Sequence, residues 1–110
     1  MKTIASYSHF EEILATEAAV LVYFSHDACN VCNVLKPKVA ELLQDNFPQI
    51  ALFFVDTVKT PDIAAQCTIF TVPGIIVYFE GREFFRRSRN IGIDELSALL
   101  ERPYELMFNE

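Results

Sequence analysis

The sequence predicts an α/β fold: a central mixed sheet of four to five strands with helices on both faces. Three observations carry this. Apolar runs of strand length recur at 18–24, 50–55 and 75–79. Segments with helical spacing of apolar residues separate them, the βαβ alternation that requires parallel pairing. The last run is followed at once by Glu80-Gly81-Arg82, a tight-turn signal that closes an antiparallel hairpin.

The 110 residues read as one domain, 1–110, with a tail at 103–110. A hydrophobic fraction of 52% with 22% charged residues is that of a globular chain, and no apolar run approaches the roughly 20 residues of a membrane-spanning helix. A net charge of −6 argues against nucleic acid or an anionic membrane surface as a partner. The N-terminal stretch turns polar and acidic too soon for a signal peptide, so the expected location is cytoplasmic.

In chain order, Thr3 to Ser6 is a candidate first strand. Ser8 and Glu11 form a capping-box pattern, with Phe10, Ile13 and Leu14 on one apolar face, so a helix is expected over 8–16. A buried strand, 18–24, follows. The next helix begins near Cys29 and runs to about Asn46, with Leu35, Val39, Leu42 and Leu43 facing the core and Pro37 kinking it from inside. A strand over 50–55 ends at Asp56. Thr60-Pro61-Asp62 then opens a short helix reaching about Cys67. The hairpin pairs 75–79 with 83–88. A last helix from Gly92 buries Leu96, Leu99 and Leu100, and Arg102-Pro103 is expected to stop it.

The main chemical signal is Ser25 to Pro37, which places Cys29 and Cys32 between a buried strand and a helix. Residues at i and i+3 share one helical face. Cys29 would sit among the unpaired N–H groups and the positive end of the helix, which favour thiolate over thiol. Cys32, one turn on, is placed to attack a mixed disulfide formed by Cys29. This is the geometry of thiol–disulfide exchange. A structural zinc wants four ligands, and only Cys67, His9 and His26 remain to join the pair, so no metal is expected.

These residues are similar to the thioredoxin family over nearly the whole chain. The resemblance is carried by Cys29-x-x-Cys32 after a buried strand, Pro37 five residues beyond the second cysteine, Val72-Pro73 before a strand, and the Glu80-Gly81 hairpin turn. It implies a thioredoxin fold and a protein-disulfide oxidoreductase. Cys29 would be the nucleophile and Cys32 the resolving thiol, with no cofactor beyond the redox-active pair. The implied partners are protein disulfide substrates and a recycling reductase or thiol pool, with the protein itself a monomer or weak dimer. A cis Val72–Pro73 bond is implied, as is a substrate groove of Ala28, Cys29, Val72, Pro73 and Gly74 that pairs backbone with the bound chain.

The chain departs from the family pattern at several places. Ala28 replaces a tryptophan, Asn30-Val31 a Gly-Pro pair, and Gly74 a threonine; Tyr23 and Leu52 stand where the family has a buried aspartate and its lysine partner. A phenol is a poor base at neutral pH. That absence motivates an alternative: a thioredoxin-fold binding, chaperone-like or redox-sensing module with little turnover.

Further residues have two readings each. His26 is a candidate modulator of the Cys29 pKa, although a solvated loop histidine is the simpler account. Cys67 is read as a small buried hydrophobe rather than a regulatory thiol. Arg82, Arg86, Arg87 and Arg89 are read as a solvated, edge-protecting strand face. Of Phe84 and Phe85, one is expected in the core.

Overall fold

The computed structural model describes residues 2–108. Its elements are β1 (Lys2–Thr3), α1 (Tyr7–Thr16), β2 (Ala19–Ser25), α2 (Asn30–Asn46), β3 (Ala51–Asp56), α3 (Pro61–Gln66), β4 (Gly74–Phe79), β5 (Arg82–Ser88) and α4 (Ile93–Phe108). The strands form one five-stranded sheet in the order β1-β3-β2-β4-β5. β1 and β2 pair parallel to β3, while β4 pairs antiparallel to both β2 and β5.

Central strand β2 is buried along its whole length, as a strand covered by helices on both faces must be. Its side chains alternate between two cores. Val20, Val22 and Phe24 join Phe53, Val55, Ile76 and Tyr78 under α1 and α3. Leu21 and Tyr23 join Ile75 and Val77 under α2 and α4.

Three local expectations are corrected. The first strand is Lys2–Thr3, and the Ile4 N–H still bonds the Phe54 carbonyl at 2.8 Å. Ser6, not Ser8, caps α1, because its hydroxyl accepts the His9 N–H at 3.1 Å. The largest departure is at Pro103, which lies inside α4 rather than ending it. A proline there removes one helical hydrogen bond. The turn beyond it is held by packing instead: Tyr104 meets the Phe47 ring edge-on at 5.1 Å, and its hydroxyl accepts the Gln49 N–H at 3.2 Å. Tyr104 and Phe108 thus complete the second core, so the segment expected to be a tail is helical as far as Phe108.

The β4–β5 hairpin turns through Glu80 and Gly81, both with positive φ (54° and 79°), the conformation a two-residue hairpin requires. The register slips between Val77 and Tyr78, leaving Phe84 as an extra, exposed residue while Phe85 packs on the core.

Candidate active site

Cys29 is the N-cap of α2, with extended backbone (φ −88°, ψ 102°), and its sulfur accepts the Cys32 N–H at 3.1 Å. That contact occupies one of the amides a helix start leaves unpaired. Cys29 and Cys32 are joined as a disulfide with Cα atoms 5.2 Å apart. Cys29 is partly exposed, whereas Cys32 is fully buried beneath α2. The two sulfurs therefore differ in their access to solvent.

Tyr23 is fully buried under the pair, and its hydroxyl donates to the Cys32 carbonyl at 2.8 Å. Burial pushes its pKa up to about 12, so the phenol stays protonated and acts as a donor throughout the neutral range. The hydroxyl ties β2 to the first turn of α2, just before the point where Pro37 deprives the helix of one amide. Sequence reasoning identified Tyr23 as a poor base but not this bond, which depends on the depth at which α2 lies on the sheet. Leu52 contributes only apolar packing to the same core. Lys36 of α2 lies over the Phe54 ring at 4.1 Å, a cation–π contact.

The Val72–Pro73 bond is cis, and Pro73 is buried with Val72 half-buried beside it. Gly74 opens β4 where a Cβ would lie 3.2 Å from Ile69 Cγ2 and 3.5 Å from Phe24 Cβ. A glycine here reflects space already taken by Ile69. Ala28 is exposed directly before Cys29, and Val31, Val34 and Phe70 are 63%, 60% and 79% exposed, giving apolar surface around the dithiol.

His26 is half-buried, and its carbonyl accepts the Cys29 N–H at 3.1 Å. The imidazole's charge acts on Asp56. Burial alone would raise the Asp56 carboxyl, but the Lys59 and Val58 N–H bonds to its Oδ1 (3.0 and 2.9 Å), with the charges of Lys59 and His26, hold it below the usual carboxylate range. Sequence reasoning missed Asp56 as a buried group. Its signal was available: an aspartate at a strand end can bond its own backbone two residues on.

Cys67 is a free, buried thiol at the end of α3, and burial pushes its pKa up. Arg86 lies next to it, forking onto Glu83 at 2.7 Å through two nitrogens and donating to the Cys67 carbonyl at 2.8 Å. Arg87 lies 3.8 Å from Glu95. The arginine face is thus partly ion-paired structure and not solvated charge throughout. Among the described residues no group of three or more His, Cys, Asp or Glu side chains is arranged to hold a metal ion, and no helix is long and apolar enough to cross a membrane.

Comparison with known proteins bears on this arrangement. The family model described as Thioredoxin matches residues 1–102. The chain is 28% identical over 110 residues to "Thioredoxin-like protein YdfQ" of Bacillus subtilis and 30% identical over 112 residues to a thioredoxin of Oryctolagus cuniculus, each alignment covering all of this chain and 97% of the relative. The thioredoxin structure of Plasmodium falciparum superposes with a TM-score of 0.83 at 20% identity, over 93% of this chain and 98% of that one. That of Fasciola hepatica gives 0.83 at 23% identity over the same shares, a likeness of fold. With the dithiol at a helix N-terminus, the cis-proline loop beside it and this match along its length, the chain belongs to the thioredoxin family.

Proposed function

We propose that the protein is a thiol–disulfide oxidoreductase acting on protein disulfides through Cys29 and Cys32. The observation that carries the reading is the asymmetric pair: a reachable Cys29 at the N-cap of α2 bonded to a fully buried Cys32. In the reduced protein the Cys29 thiolate attacks one sulfur of a substrate disulfide. A Cys29–substrate disulfide forms and one substrate thiolate leaves. Cys32, as thiolate, then attacks Cys29 Sγ. The second substrate thiolate leaves, and the Cys29–Cys32 disulfide has taken over the oxidising equivalent, two electrons having passed to the substrate.

The α2 terminus and the Cys32 N–H favour negative charge on Cys29. The proton of Cys32 goes to solvent or to the departing thiolate, since Tyr23 holds its own. The exchange needs no metal or organic cofactor; a reductase or thiol pool returns the pair to dithiol. Substrate backbone would lie against Ala28, Cys29 and the Val72-Pro73-Gly74 edge. Cytoplasm is the proposed setting, where a dithiol is readily returned to its reduced form.

The test is the equilibrium potential of the pair, read by thiol trapping and mass spectrometry across a dithiol buffer series. A two-electron transition near roughly −270 mV identifies a reductant and one near roughly −120 mV an oxidant. Failure of the pair to oxidise anywhere in the series overturns the proposal. The protonated Tyr23 and apolar Leu52 favour a second reading, a binding or redox-sensing module; it predicts a measurable potential without turnover of a disulfide substrate.

A further inference from the structure

Arg89 follows the end of β5 in a left-handed conformation, with φ of 64°. Glycine is the residue that takes this conformation freely, and a side chain held there points to a local role. The backbone is fixed by the Arg89 N–H, which donates to the Pro73 carbonyl at 2.8 Å. The residue is thereby tied to the cis-proline loop, beside the dithiol. It lines, with Asn30, Val31, Val34 and Ile91, a groove of about 440 Å³. Asn30 and Val31 are the two residues between the cysteines, so the groove starts at the redox pair.

The charges distinguish Arg89 from its neighbours. Arg86 is bound to Glu83, and Arg87 lies against Glu95. Among the described residues neither Arg89 nor Lys38, the other cation on the groove, forms an ion pair. The next depression along α2 shares Lys38 but is bordered by Glu41, Asp45 and Asp94. The groove nearest the thiols thus carries two cations and no carboxylate, in a protein whose net charge is −6.

We infer that Arg89 is a specificity-determining residue: the groove accepts an extended polypeptide whose cysteine is flanked by an acidic side chain, which the guanidinium binds while Val31, Val34 and Ile91 take up neighbouring apolar groups. This rests on the oxidoreductase reading. A carboxylate held there keeps the substrate sulfur over Cys29, raising the rate of the first exchange.

The test is a single-turnover oxidation of the reduced protein by dimers of the peptide X-Gly-Cys-Gly-X, with X as Glu, Gln or Lys. Formation of the Cys29–Cys32 disulfide is followed by acid quench, alkylation and mass spectrometry. At about 0.1 M ionic strength, charges more than about 10 Å away are largely screened. The Glu peptide should then react roughly five-fold faster than the Lys peptide. Arg89→Gly, which suits the left-handed backbone, should bring that ratio near one, and Arg89→Glu should invert it. Because the ratio is taken within each variant, a general loss of activity cancels.

A wild-type ratio within two-fold of one, or one unmoved by both variants, overturns the inference. If the Gln peptide oxidises the pair without a charge preference, the oxidoreductase reading survives and only the role of Arg89 falls. If no peptide oxidises it, both fall.

Discussion

The protein carries cysteines at opposite ends of two helices. Cys29 caps the start of α2, partly exposed, with an amide aimed at its sulfur. Cys67 caps the end of α3, buried in the core under α1 and α3 with its pKa pushed up. Helix ends have opposite polarity, positive at the start and negative at the finish. One location favours the thiolate and the other the thiol. The same side chain is partly exposed at a helix start in one place and a buried packing group in the other, and the proposed nucleophile is the first.

Removing each sulfur in turn tests that contrast most severely. Cys29→Ser should lower turnover of a protein disulfide roughly a thousand-fold or more, since the proposed mechanism loses its nucleophile. Cys67→Ala should leave it within about two-fold. A comparable loss in the second variant would break the comparison. A milder probe is iodoacetamide labelling of the reduced protein at pH 7, with peptide mapping. Cys29 should react on the order of a hundred-fold faster than Cys67, through both thiolate fraction and access.

Arg86 sharpens the Cys67 side. Its guanidinium bonds the carbonyls of Cys67 and Thr68, where Thr68 is held at a positive φ of 59°. Arg86→Ala should lower stability by about 1–2 kcal/mol in urea unfolding. It should also speed labelling of Cys67, because the end of α3 that carries this thiol loosens. On the Cys29 side, Tyr23→Phe should cost about 1 kcal/mol by removing the hydrogen bond to the Cys32 carbonyl.

The smallest effect is the acid limb. The Asp56 pKa is lower folded than unfolded, so the unfolded chain binds more protons between the two values and stability rises with pH there. The contribution is complete above about pH 4 and fades as pH falls through the folded value. Asp56→Asn should flatten that part of a stability–pH curve.

The strand runs, the turn at Gly81 and the cysteine-bearing helix were legible because each is written in local pattern. What escaped depends on distant partners. Pro103 reads as a stop signal until Tyr104 finds Phe47 across the second core, where packing outweighs one lost hydrogen bond. Thr60 reads as a capping side chain, yet its hydroxyl donates to the Asp56 carbonyl at 2.9 Å and makes no cap bond. At the site, the cysteines and Pro73 were visible as a motif. The Tyr23 bond and the Arg89 conformation were not, because side-chain depth and the sign of φ carry no one-residue signature.

The order of the sheet has a consequence for self-association. Its open borders are β1, two residues long, and β5, which carries a bulge at Phe84 together with Arg82, Arg86 and Arg87. Brevity on one side, and irregularity with charged side chains on the other, make both poor templates for strand addition. A neighbouring copy therefore finds little on which to extend the sheet into an aggregate.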